Sequence, residues 1–401
     1  MSENLHKISE NIDEENKPSF ISKITVNKIL HLKNFEIEID SSELKHLLIT
    51  GQNSCGKTVL MNRLRGYLQK LIDCEADVAI MHNYEKGLDK ENPDLLTFQP
   101  NATALYYKYR SGYFVIAHFE ARRNLKLSGM KTVKNIELPA FSNIVTKKGK
   151  TVYTKKNFLK YAVNQYLQRD SAAEQKDEKR EKELNRWIDN FEKTLKTVDP
   201  RIEKVVLETK PDYHLSLIPK PPFQKFTFEQ LADGFKSIYC IVAELILRMQ
   251  NKALTTYDVE GLVLIDEPEA HLHLDTQKQI LPILTKIFPR VQFIVATHSP
   301  FILSSLSNAV VYDLEKKEKI EDLTKYSVEN IIETYFETNK YSIYLLKELK
   351  KYEQLASKKD LSQSEKTEFG KLLEYFTDSY ESFSPEIQVK LQQIKLSQLG
   401  R

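Results

Sequence analysis

Between Thr50 and Val59 the chain reads Gly51-Gln-Asn-Ser-Cys-Gly56-Lys57-Thr58, the pattern G-x-x-x-x-G-K-[ST]. That octet restricts the fold more than any other feature. Its glycines let backbone N–H groups turn inward around an anion, and the arrangement requires a strand before it and a helix after it. Both are legible. His46-Leu-Leu-Ile-Thr50 is a short apolar strand, and Val59 to Leu71 carries apolar residues at helical spacing. The helix N-terminus favours negative charge, so the segment suits a phosphate chain. Gly51, Gln52, Asn53, Ser54, Cys55 and Gly56 would form the cradle, Lys57 would reach the β- and γ-phosphates, and Thr58 would ligate Mg²⁺. Cys55, beside Lys57 and among the loop amides, is expected to favour its thiolate.

A second apolar run, Gly261-Leu-Val-Leu-Ile265, ends in Asp266-Glu267. Four apolar residues followed by two acids describe a buried parallel strand that delivers carboxylates to the sheet edge where ligands bind. Asp266 would hold Mg²⁺ through water, and Glu267 would orient and deprotonate an attacking water. A third run, Gln292-Phe-Ile-Val-Ala296, ends in Thr297-His298-Ser299 at the same edge, where His298 can sense a γ-phosphate. The segment Leu231-Ala-Asp233-Gly234-Phe-Lys-Ser237 opens a helix that runs to Met249 and places Gly234 at an N-terminus suited to a phosphate.

Around these, Ile21 to Ile39 alternates as two strands of a hairpin or edge sheet, and 84–101 reads as a loop. Ala102–Arg110 and Gly112–Ala121 read as strands, as do Glu203–Leu207, Tyr213–Leu217 and Ala309–Asp313. Residues 155–196 read as helix, with Leu184, Trp187, Ile188, Phe191 and Leu195 on one face, and Glu174–Glu183 as a solvated helix or its disordered linker. Helices also fit Asp275–Ile287, a short run from Pro300, and the C-terminal stretch. There Leu345, Leu346, Leu349, Tyr352 and Leu355 make one face, and Leu372, Leu373, Phe376 and Tyr380 another. The expected fold is α/β: a mixed, mostly parallel central sheet with flanking helices, an antiparallel N-terminal sheet, a helical insertion and a helical tail. The boundaries are a disordered leader at 1–18, the first part of the α/β domain at 19–150, the insertion at 151–200, the second part at 201–326 and the helical tail at 327–401.

Taken in order, the four elements resemble the ABC-type P-loop ATPases, in which they are Walker A, the signature, Walker B and the switch histidine. Asp266-Glu-Pro-Glu-Ala-His-Leu-His273 and Gln292–Pro300 resemble the soluble branch that holds the OLD, RecF and SMC-like proteins. Within it the chain is similar to standalone ATPase subunits of bacterial anti-phage modules such as Septu, retron-associated and PARIS systems. The resemblance implies ATP and Mg²⁺ as cofactors and hydrolysis by Glu267 and His298. It also implies a homo-oligomer of at least two copies, in which Leu231, Asp233, Gly234 and Ser237 of one copy cap the nucleotide of another. A regulatory role follows, with ATP-dependent association controlling a partner effector, a nuclease or toxin. Nucleic acid or a phage protein is compatible as a further partner.

The chain departs from the family pattern in two places. Ala232 stands where serine is usual, which removes a hydroxyl contact worth roughly 1.5–3 kcal/mol and implies slow hydrolysis or a long-lived closed dimer. Ser54 and Cys55 replace a glycine and a small residue. The resemblance offers Gln99 as the family's Q-loop glutamine. A DNA-repair or chromosome-maintenance clamp is the alternative function, disfavoured because the insertion is too short for a long coiled coil. A transporter half is disfavoured by the run after Asp266. The tail lacks an acidic nuclease cluster, so nuclease chemistry would come from a partner.

Net charge is +3, so no global basic field points to nucleic acid. Arg122 and Arg123 suit a surface role, and Trp187 a core one. No stretch reads as a membrane span, and Met1 to Lys17 lacks signal-peptide order. Cys55, Cys74 and Cys240 have no metal spacing, and no metal pair is expected of His271 and His273. Together these suggest a cytoplasmic protein with no membrane partner.

Overall fold

The computed structural model describes residues 17–73, 95–121, 155–249, 259–270, 272–320, 322–334, 341–358 and 360–399. Strands β1 (Phe20–Ile29) and β2 (Leu32–Glu38) pair antiparallel, with Val26 opposite Phe35 and Ile24 opposite Ile37. The alternation seen in the sequence is therefore the buried and exposed face of one hairpin. Next come β3 (His46–Thr50), α1 (Lys57–Asp73), β4 (Leu95–Gln99), α2 (Ala102–Ser111) and β5 (Phe114–Phe119). Helices α3 (Lys155–Gln175) and α4 (Glu178–Val198) precede the antiparallel strands β6 (Ile202–Glu208), β7 (His214–Pro219) and β8 (Phe226–Thr227). Then follow α5 (Asp233–Met249), β9 (Glu260–Asp266), α6 (Leu274–Ile287), β10 (Val291–Ala296), α7 (Pro300–Leu303), β11 (Ala309–Asp313) and β12 (Glu318–Ile320). Helices α8 (Val328–Thr334), α9 (Ile343–Ser357), α10 (Gln363–Asp378) and α11 (Pro385–Leu399) complete the order.

The central sheet has the order β12-β11-β3-β10-β9-β5. Its four pairings from β11 to β5 make all five of those strands parallel, and β12 closes one edge antiparallel. All seven residues of β9 and all six of β10 are buried, as continuous apolar runs in a covered parallel sheet should be. On one face Leu47, Ile49, Leu262, Leu264 and Ile294 share a core with α1, α2 and the β2-β1-β4 sheet. Gln292 ties the two sheets together. Its side chain accepts from Ile21 N (2.8 Å) and donates to Ile21 O (2.9 Å) and Lys45 O (2.8 Å), which satisfies a fully buried amide. At the amino edge of the central sheet, Glu260 takes Lys108 at 2.9 Å together with Arg290.

Two expectations are corrected. Ala102–Arg110 is the helix α2, not a strand. The Asn101 side chain accepts from Ala104 N, Gly112 closes the helix at φ 81°, and the buried residues Ala102, Leu105, Tyr106 and Tyr109 recur at helical spacing. The stretch 84–101 ends in strand β4, which pairs with β1 through Leu96 opposite Ile24. Its earlier part lies outside the described residues, as do the leader up to Glu15-Asn16, Cys74, Arg122, Arg123 and His271. Residues 155–196 hold two helices that break at Lys176 (φ 58°), after which Asp177 caps α4. Leu184, Trp187, Ile188, Phe191 and Leu195 all face inward on α4, and Trp187 stacks on Phe191.

The chain divides into two compact units after Val328. The second has a core of its own, with Leu349, Tyr352, Leu355, Leu372, Phe376, Ile387 and Leu391 buried together and the Tyr352 ring stacked on Phe369. Leu345 and Tyr380 pack against that core, whereas Leu373 is exposed.

Candidate functional site

The parallel register brings Thr50, Phe119, Asp266, Ala296 and Asp313 to one carboxyl edge, because Ala296 lies beside Asp266 and Asp313 beside Thr50. The loop Gly51–Gly56 leaves β3 there. Gly51 has φ 137° and Gly56 φ 112°, values that L side chains rarely adopt. A Cβ on Gly51 would stand 2.8 Å from Cys55 Sγ, and one on Gly56 would stand 2.8 Å from Ile29 Cγ2. The loop needs glycine at both of these positions, for conformation and for space. Ser54 holds φ 68° without being glycine. Lys57, at 6% exposure, folds inward and its ammonium donates to Gly51 O (2.8 Å) and Gln52 O (3.0 Å). Gln52, Asn53, Ser54 and Thr58 are exposed on the loop and the first turn of α1.

Cys55 corrects an expectation. The thiol is buried, and burial pushes its pKa up. Lys57, with the ammonium 3.7 Å from Sγ, works in the opposite direction but more weakly. The thiol form is favoured, not the thiolate.

Asp266 ends β9 as a buried carboxylate, and Glu267 leaves the strand at φ 45° with its N donating to Ala296 O (2.8 Å). That left-handed turn swings the Glu267 side chain off the strand direction while the backbone stays tied to β10. His298 follows β10. Burial lowers its imidazole pKa, the charge on Lys57 lowers it further, and Asp266 raises it. Lys57 and Asp266 are therefore both close enough to His298 to act on it, although 57, 266 and 298 are far apart in sequence.

The segment before α5 is built locally. Thr227 N donates to Gln230 Oε1 (2.8 Å), Leu231 is buried, and Lys236 N donates to Ala232 O as the helix begins at Asp233. Gly234 is half-buried in the first turn, and the Arg201 guanidinium lies 5.2 Å from the Phe235 ring. Ser237 faces inward at 6% exposure, so the accessible part of the motif is its first turn.

Gln99 does not belong to the site. It pairs with Phe20, next to Ser19, whose N donates to Glu260 at the start of β9. That is the amino edge, opposite the loop. His273 is exposed just before α6, and among the described residues no group of three or more metal-binding side chains occurs. Two carboxylates escaped the sequence reading. Glu269 accepts from Thr297 Oγ1 (2.8 Å) and His298 N (2.7 Å), and Glu315 accepts from Gln52 N (3.3 Å). Nothing in their local spacing marks either, because both partners come from other strands.

A parallel sheet with a glycine-framed anion loop after one strand, an acidic pair after a second and a histidine after a third defines a P-loop ATPase domain of the ABC type. The chain belongs to the family described as "AAA domain, putative AbiEii toxin, Type IV TA system", whose profile matches residues 87–304. Among its curated relatives are a Septu protein PtuA of Bacillus mycoides (strain KBAB4), 34% identical over 27% of this chain and 16% of that one, and the retron Ec83 probable ATPase of Escherichia coli, 31% identical over 34% and 27%. The chain thus matches well under half the length of these relatives. An SMC head bound to the C-winged helix domain of ScpA is 12% identical over 75% of this chain and 96% of that one, at a TM-score of 0.39.

Proposed function

We propose that the chain binds Mg²⁺–ATP on Gly51–Thr58 and hydrolyses it, and that ATP drives two copies together to control a partner effector in an anti-phage module. The observation that carries the first half is the meeting of Lys57, Asp266, Glu267 and His298 at one sheet edge. The loop fits a polyphosphate: a glycine-framed turn, an inward ammonium and a helix N-terminus point to the same place. On binding, Lys57 would exchange its carbonyl partners for phosphate oxygens, which trades neutral acceptors for charged ones. Thr58 and Asp266 would hold Mg²⁺, which when bound neutralises developing phosphate charge. Glu267 would take the proton of the attacking water, and the neutral His298 imidazole that burial favours would hydrogen-bond the γ-phosphate.

The second half rests on the relatives named in Septu and retron systems and on the half-buried first turn of α5, whose Gly234 would cap the nucleotide of a second copy. The effector, a nuclease or toxin, is the partner this reading requires. Lys57→Ala should abolish ATP binding at submillimolar concentration by calorimetry. Glu267→Gln should bind ATP with wild-type affinity, hydrolyse it about a hundredfold or more slowly and accumulate a dimer by light scattering. Wild-type affinity in the first variant, or wild-type turnover in the second, would remove the assignment. Loss of phage protection in both variants, measured in cells that carry the neighbouring genes, tests the biological half.

A further inference from the structure

Glu269 has no place in the hydrolysis chemistry, yet it sits at a crossing between the two loops that carry Glu267 and His298. Its Oε1 accepts from Thr297 Oγ1 (2.8 Å) and from His298 N (2.7 Å). Thr297 Oγ1 accepts in turn from Ser299 N (3.0 Å), and Ser299 Oγ donates to Gln277 Oε1 (2.6 Å). Gln277 Nε2 donates to Leu272 O (3.0 Å), and Leu272 N donates back to Glu269 O (2.8 Å). The hydrogen bonds close a ring. It passes from the loop after β9 to the loop after β10 at Glu269 and returns at Gln277 on α6. Thr297 is fully buried, and Thr297 N is also fixed to Ile49 O, so the ring stands on the sheet itself. Burial raises the Glu269 carboxyl pKa, and its hydrogen bonds to Thr297 and the His298 N–H pull the other way.

We propose that Glu269 is a positioning residue that joins the loops after β9 and β10 into one body. A contact between His298 and a terminal phosphate is then transmitted to Glu267 and to the start of α6. Without Glu269 the His298 backbone loses its acceptor, and the imidazole and Glu267 can shift independently. This inference rests on the ATPase reading of the site, and the experiment separates the two.

ATP affinity by calorimetry, single-turnover hydrolysis and urea midpoint are measured for wild type, Glu269→Ala, Glu269→Gln, Thr297→Val, His298→Ala and the double variant Glu269→Ala/His298→Ala. Loss of positioning should slow turnover by about tenfold to a hundredfold in Glu269→Ala, the range that small misplacements of reacting groups produce, with ATP affinity little changed. Glu269→Gln keeps an oxygen for both donors and should recover most of the rate. Thr297→Val removes one donor at nearly constant shape and should lose rate in the same direction. The double variant should be no slower than His298→Ala alone, because Glu269 acts through His298. Wild-type turnover in Glu269→Ala would overturn the proposal, as would additive losses in the double variant. Should Glu269→Ala not fold, Thr297→Val and Glu269→Gln decide: a full rate in the first or an unrescued rate in the second, at wild-type urea midpoint, also overturns it. A wild-type chain that binds no ATP would reject the ATPase reading itself, and the positioning role with it.

Discussion

At Cys55 the neighbours in sequence and the neighbours in space pull the same group in opposite directions. Lys57 and the loop amides favour a thiolate, but the thiol is only 3% exposed, and the cost of burying charge is the larger effect. The expected outcome is slow labelling: a maleimide should modify Cys55 at least about tenfold more slowly in the native protein than in urea, with a pH dependence displaced above that of a free thiol. Labelling at the rate of an exposed cysteine would reject the buried placement. His46 is the complementary case. Its Nδ1 accepts from Phe293 N (3.1 Å), which requires a neutral ring, and burial pushes its pKa down to about 4. The unfolded chain binds a proton there near pH 6.5 and the folded chain does not, so stability is full above that pH and falls between about 6.5 and 4. Between about pH 7.5 and pH 5 the loss from this group should be about 2 kcal/mol. His46→Gln, which keeps an acceptor for Phe293 N, should lack that part of the pH dependence in urea titrations. Gly51, Lys57, Asp266 and His298 were legible because each belongs to a short motif at the end of an apolar strand. Glu269 was not, because its meaning depends on Thr297 and His298 in the loop after another strand.

Among elements, the buried strands β9 and β10 were the plainest in the sequence, since a run of apolar residues closed by polar ones leaves little other choice. Helix α2 was the least plain. Its tyrosines carry strand propensity, and only the caps at Asn101 and Gly112 and the burial of Leu105 and Tyr109 reveal the helical period. Strand β4 was hidden because its partner β1 lies more than seventy residues earlier, at Phe20 opposite Gln99. The close packing of the central sheet gives the element-scale prediction. Gly261 begins the apolar run of β9 between β5 and β10, and a Cβ there would stand 2.6 Å from Val115 Cγ2 and 2.9 Å from Val115 O. The carbonyl belongs to the strand and cannot rotate away, so Gly261→Ala forces β5 and β9 apart. It should destabilise the first unit by about 1–3 kcal/mol. An unchanged urea midpoint would show that the strands yield more easily than their pairing implies.

For the whole molecule, the question is whether one chain holds a finished site. Lys57, Asp266, Glu267 and His298 meet within a single copy, whereas the segment Leu231–Ser237 offers only its first turn, with Ser237 turned inward. We expect Gly234 of one copy to close over the γ-phosphate held by another. Gly234→Asp would then place a carboxylate against that phosphate, and repulsion near 4 Å is on the order of 4 kcal/mol at an effective dielectric of 20. Closure should weaken by about a thousandfold, at 1.4 kcal/mol per decade. ATP should still bind to the single subunit, because Lys57 and Thr58 are untouched. The deciding experiment mixes inactive Gly234→Asp with inactive Lys57→Ala. In a two-fold dimer of the two variants, one composite site carries both lesions and the other carries neither. Equal mixing yields heterodimers as half of all pairs, each with one intact site of two, so about a quarter of wild-type activity should return if the sites act independently. Normal turnover by Gly234→Asp alone would reject the shared site. Mixtures that form heterodimers, shown by crosslinking, yet recover nothing would mean either that the two sites are obligately coupled or that the site is not shared. Partial recovery proportional to the heterodimer fraction would show instead that each site works once its two halves, from two chains, are sound.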